Sequence, residues 1–245
     1  MVPNAVTAAA LCAGLTGIRF GITGDFDKAV LAIVLAGMLD GIDGRIARLL
    51  KAQSRFGAEL DSLADNVSFG VAPALVLFLW SLEQLPRLGW FAALAYAIAC
   101  ALRLARFNAR IDLADEPRKI AGFFTGVPAP AGAGLVFLPM YLWLSAKDFP
   151  PLEQFRDPRI VGVWMVAMAF LMISNLPTMS WGKLRPRRSV RLMLIMLVGM
   201  TVAGLILETW WTLIGICVAY LASIPIGLIA YNRVKPPRRS AGEAL

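Results

Sequence analysis

The chain has 245 residues, 58% of them hydrophobic, and a mean hydropathy of +0.68, beyond the roughly 45–50% apolar content of soluble domains. Its net charge is +8, yet the Lys and Arg residues punctuate long apolar runs instead of lining a solvated face, which excludes a nucleic-acid module and indicates a membrane protein. Histidine is absent, which removes Ser-His-Asp and Cys-His chemistry and any imidazole metal site, and Cys12, Cys100 and Cys217 lie singly in apolar runs, with neither disulfide nor zinc spacing.

A span needs about 20 mostly apolar residues to cross a hydrocarbon core. Eight segments qualify: 4–22, 28–50, 57–82, 88–108, 120–145, 160–176, 190–207 and 209–231. The expected fold is therefore an all-α, polytopic membrane bundle of about eight transmembrane helices over residues 1–232, followed by a basic, polar tail at 233–245. The first segment starts near Met1 without a basic leader region, so it is expected to stay in the mature protein. Most Lys and Arg residues fall around the connections after the second, fourth and sixth segments and on the tail. Only Arg19, Lys28, Arg87, Lys147, Arg156 and Arg159 fall on the other side, which predicts cytoplasmic termini. In the fifth segment Pro128 and Pro130 should interrupt regular helix, and Pro177 should break the end of the sixth.

The second and third segments carry what a membrane helix ordinarily lacks. Asp40, Asp43, Asp61 and Asp65 interrupt runs of Leu, Ala, Val and Ile, and a central Asp costs about 2.5–3.5 kcal/mol even on insertion scales. Asp40 and Asp43 share one helical face, as do Asp61 and Asp65. A short connection around 51–55 makes the two helices antiparallel, so the pairs can face each other in the cytoplasmic half. Carboxylates brought together this way repel unless a cation sits among them, and magnesium commonly takes carboxylates together with a substrate's phosphates. A purely structural account would pair the aspartates with Arg45, Arg48 and Arg55. Four of them, with the small residues Gly41, Gly44, Ala47 and Gly57 between, exceed what that account requires.

The same stretch resembles the signature of the CDP-alcohol phosphatidyltransferase family. The matching positions are Asp40, Asp43, Gly44, Ala47, Arg48, Gly57, Asp61 and Asp65 at the family's spacing. The resemblance implies that Asp40, Asp43 and Asp61 hold two divalent metals, magnesium or manganese, which grip the pyrophosphate of a CDP-linked lipid. It further implies that Asp65 approaches the metals and acts as the general base. By the same mapping Gly44, Ala47, Arg48 and Gly57 line the CDP pocket, with Asn4 and Thr7 reaching the nucleotide from the first span. Three further segments, SLADNVSFGVAPA, RLARFN with GFFTGVPAPAGA, and SNLPT, resemble the phosphatidylserine synthase branch of the family. That branch implies CDP-diacylglycerol as donor, L-serine as acceptor and a homodimer in the cell membrane with its site toward the cytoplasm.

An amino-acid acceptor needs a cation for its carboxylate and oxygen atoms for its ammonium. Arg103 and Arg106, with Asn108 beyond them, and Ser174 with Asn175, are the candidates. Flanking positive charge and a plain helix end account for the same residues without a ligand. Another acceptor alcohol, such as glycerol 3-phosphate or an inositol phosphate, and a cation transporter with intramembrane carboxylates remain alternatives.

Overall fold

The computed structural model describes residues 2–49, 54–109, 123–145, 150–174, 177–179 and 188–233. Its elements are α1 (Val2–Ile22), α2 (Phe26–Leu49), α3 (Arg55–Asp65), a π-helical segment (Asn66–Val71), α4 (Ala72–Trp80) and α5 (Pro86–Ala109). They continue with β1 (Phe123–Thr125), α6 (Ala129–Val136), α7 (Leu138–Ser145), α8 (Pro158–Ile173), β2 (Pro177–Met179), α9 (Arg188–Leu207) and α10 (Thr209–Arg233). The two strands form a short antiparallel ribbon in which Phe124 faces Thr178.

Three helical stretches, Pro3–Ile22, Arg55–Trp80 and Pro86–Ala109, are long and apolar enough to cross a membrane. The second of them is α3, the π segment and α4 in one run. α2 matches them in length, at 24 residues, but carries Asp40, Asp43, Arg45 and Arg48 in its second half. The outer surface is apolar: Phe91, Phe170 and Leu207 are 67%, 71% and 79% exposed. Side chains of this size stand outward where lipid is the solvent, not water. The fold is thus that of an integral membrane helical protein.

The expected fifth span is not one helix. Pro128 caps α6, whose first turn contains Pro130, and Phe137 separates α6 from α7, so residues 129–145 form two helices of 8 residues each. The chain enters them through Gly126, which has a φ of 77°. The expected sixth span ends early, at Ile173, with Ser174 as its cap, before Pro177 can disturb it. The tail beyond 233 lies outside the described residues.

α1 packs along α2 and also against α3, the π segment and α4, so it links the two aspartate-bearing arms of the chain. α5 packs on the π segment, α4 and α8, while α10 covers α7, α6 and β2. Trp80, Phe69, Tyr96, Phe137 and Tyr141 fill the centre and are almost completely buried.

Candidate metal centre

The site is assembled where the second half of α2 meets α1 and the start of the α3 run. α3 begins at Ser54, whose extended backbone leaves the helix and whose hydroxyl oxygen accepts the Gly57 N–H at 3.0 Å. This satisfies one of the amides that a helix start leaves unpaired. Gly57 also faces α1: a Cβ there would lie 3.0 Å from Asn4 Oδ1 and 3.1 Å from Ser54 Oγ. The absent side chain therefore lets the Asn4 amide seat itself on the first turn of α3.

Further along the same helices, carboxylate oxygens of Asp40, Asp61 and Asp65 lie within 4.8 Å of one another. All three residues are half-buried. Asp43, one turn from Asp40 on the same helix, is only 4% exposed. Its Oδ2 accepts a hydrogen bond from the Thr7 hydroxyl at 2.8 Å. Gly44 follows on α2, with no described atom within 4 Å of where its Cβ would stand. Ala47 and Arg48 lie on the last turn of α2, but their side chains fall outside the described residues.

Among the described side chains, no Lys or Arg forms an ion pair with any of the four aspartates; the ion pair present joins Lys28 to Asp25 at the other end of α2. Three carboxylates so close, partly withdrawn from water and without a paired cation, repel one another. The donor set is all oxygen, as a hard divalent cation requires. These residues fit a hard divalent cation.

The acceptor candidates divide. Arg103, on α5, is half-buried, and its Nε is buried with no hydrogen-bond partner among the described residues. Arg106 reaches away and donates from Nη1 to the Ile173 carbonyl at 3.0 Å, at the C-terminal end of α8. Asn108 Nδ2 donates to Ser62 Oγ at 2.8 Å, tying α5 to α3. Ser174 Oγ donates to the Leu171 carbonyl at 2.7 Å, within its own helix end. Asn175 lies outside the described residues.

Sequence reasoning passed over one feature. The helix widens to π geometry immediately after Asp65, and the Phe69 carbonyl accepts a hydrogen bond from Tyr96 Oη at 3.1 Å. π turns occur disproportionately at functional sites, but nothing in hydrophobic periodicity distinguishes one from ordinary helix.

A helical membrane protein with an oxygen-only, multi-aspartate centre at the meeting of its first three helical arms is the class that fold and site define. A family model described as CDP-alcohol phosphatidyltransferase matches residues 1–179, and a second, CDP-alcohol phosphatidyltransferase 2, matches residues 189–225. The chain belongs to the CDP-alcohol phosphatidyltransferase family. It is 37% identical over 235 residues to the CDP-diacylglycerol–serine O-phosphatidyltransferase of Mycobacterium tuberculosis (strain ATCC 25618 / H37Rv), covering 93% of this chain and 78% of the relative. Relatives of the same name are 36% identical in Mycobacterium leprae, covering 93% of this chain and 74% of the relative, and 34% identical in Bacillus subtilis (strain 168), covering 71% and 88%.

Proposed function

We propose that this chain is a phosphatidylserine synthase, which transfers the phosphatidyl group of CDP-diacylglycerol to the hydroxyl of L-serine and releases CMP. The observation that carries the reading is the convergence of Asp40, Asp61 and Asp65, in a chain whose relatives over 93% of its length bear the serine transferase name. The residues that would hold the divalent ions, two of magnesium or manganese, are Asp40, Asp43, Asp61 and Asp65. When bound, such ions neutralise a pyrophosphate and stabilise CMP as it leaves.

The rest of the step belongs to the chain's own residues. Asn4, Thr7, Gly44, Ala47, Arg48 and Gly57 line the CDP pocket in this reading. Asp65 takes the proton from the serine hydroxyl as its oxygen bonds to the lipid-side phosphorus and the bond from that phosphorus to the CMP oxygen breaks. Arg103, whose buried Nε has no hydrogen-bond partner among the described residues, receives the serine carboxylate. The contacts of Arg106, Asn108 and Ser174 favour a structural role for them. The charge distribution supports eight spans with both termini and the site on the cytoplasmic side, where soluble serine and CMP exchange. A homodimer completes the reading.

The test is CMP release by purified protein with CDP-diacylglycerol, magnesium or manganese, and a panel of acceptors. Serine-dependent release is expected. Release with glycerol 3-phosphate or an inositol phosphate, but not with serine, would overturn the acceptor. Asp65→Asn should lower turnover about 10²–10⁴-fold, and full turnover in that variant would remove Asp65 as the base.

A further inference from the structure

α5 and the α3 run cross with a regular register. Asn108 bonds to Ser62 at one level and Tyr96 to the Phe69 carbonyl at another. Between them a Cβ on Gly70 would meet Cys100 Cβ at 3.0 Å. Two polar atoms on this seam have no partner among the described residues: Asn66 Oδ1 and Arg103 Nε are both buried and form no hydrogen bond. Asn66 Oδ1 lies 3.2 Å from that same Gly70 Cβ position, so it is held at the level of Cys100. Arg103 stands one helical turn beyond Cys100, and Asp65 immediately precedes Asn66 in the chain. One orphan is a cationic donor and the other a neutral acceptor, yet they are not bonded to each other. A buried guanidinium N–H calls for an anion and a buried amide oxygen for a donor. A small molecule with a carboxylate at one point and an ammonium at another satisfies both.

Resting on serine as the acceptor, we propose that Arg103 and Asn66 form a zwitterion clamp. Arg103 holds the α-carboxylate, Asn66 Oδ1 accepts from the α-ammonium, and the hydroxyl is thereby directed to Asp65. Asn66 is then the residue that distinguishes an amino acid from an acceptor carrying only an anionic group, such as a sugar phosphate or glycerol 3-phosphate.

The experiment uses the full chain in lipid nanodiscs, with serine as substrate and 3-hydroxypropionate, which is serine without its ammonium, as competitive inhibitor. In Asn66→Leu the serine KM should rise about tenfold or more, because a hydrogen bond to a charged group is lost. The KM for CDP-diacylglycerol and the inhibition constant of 3-hydroxypropionate should not move. Asn66→Asp, which keeps an acceptor oxygen in the same place, should retain the serine KM. An unchanged serine KM in Asn66→Leu would mean that the amide oxygen is satisfied without the substrate, and the clamp would be wrong. Equal weakening of serine and 3-hydroxypropionate would also overturn it, leaving Asn66 as part of the pocket wall. Should Asn66→Leu fail to fold, loss of serine affinity in a folded Asn66→Asp overturns the clamp in its place. Wild-type protein that releases CMP with another alcohol but not with serine refutes the acceptor assignment and the clamp together, whereas serine turnover with a neutral Asn66→Leu refutes only the clamp.

Discussion

Thr7 shows how one hydroxyl can govern a carboxylate contributed from another helix. Its Oγ1 donates to Asp43 Oδ2 at 2.8 Å and also lies 3.2 Å from the Pro3 carbonyl, and both Thr7 and Asp43 are buried. A metal-binding carboxylate is oriented by such an outer partner, and losing one typically costs 10–100-fold in metal affinity or activity. Thr7→Val keeps the shape and removes the donor. It should raise the magnesium concentration needed for half-maximal CMP release by about 10-fold or more, while Thr7→Ser restores the wild-type value. A wild-type magnesium requirement in Thr7→Val would show that the hydroxyl only packs. At this scale the sequence names residues but not their contacts. The family resemblance placed Thr7 near the nucleotide, whereas its bond to Asp43 spans 36 positions and depends on how α1 lies across α2. Asn4 against Gly57 is the same kind of contact.

Elements begin and end where local chemistry overrides hydrophobicity. The run from 120 to 145 is apolar enough to read as one span, but Pro128 removes an amide and fixes an extended backbone, so helix starts only at Ala129. The prolines were legible. The turn that delivers them was not, because its requirement for glycine comes from another helix. Gly126 adopts a φ of 77°, and a Cβ there would meet the Met172 and Ser174 carbonyls at 2.8 and 2.9 Å. Gly126→Ala should therefore destabilise the protein by about 1–2 kcal/mol from the left-handed backbone alone, and by more once those carbonyls are displaced. Gly134 provides the opposite case within α6, since no described atom lies within 4 Å of its Cβ position. Gly134→Ala should stabilise by up to about 1 kcal/mol, because helical Ala loses less backbone freedom than Gly. Thermal unfolding in detergent reads both signs, and a Gly126→Ala protein as stable as wild type would show that the turn relaxes freely. The π turn after Asp65 belongs with the illegible features: Tyr96 satisfies its Phe69 carbonyl from α5, a pairing no local pattern encodes.

At the scale of the whole molecule, membrane residence was readable because it depends on composition alone, and the aspartates stood out because each is costly in an apolar segment. Their arrangement was only partly readable. Helical spacing places Asp40 and Asp43 on one face; the fold gathers Asp40 with Asp61 and Asp65, and Asp43 accepts a bond from Thr7. The gathered carboxylates set function against stability, since without a cation they repel in half-buried surroundings. Asp40→Asn removes one charge and should raise the unfolding temperature of protein stripped with a chelator. Magnesium or manganese binds the folded arrangement alone, so at 100 times its dissociation constant it should stabilise the wild type by about 2.7 kcal/mol. Asp40→Asn, lacking a ligand, should lose most of that gain, so the order of stability of the two proteins reverses as metal is added. Scanning both proteins by intrinsic Trp fluorescence, with chelator and then across a metal titration, measures the crossing. Parallel curves, in which Asp40→Asn gains as much from the metal as wild type does, would show that the cation binds elsewhere and that the convergence of Asp40, Asp61 and Asp65 is not its site.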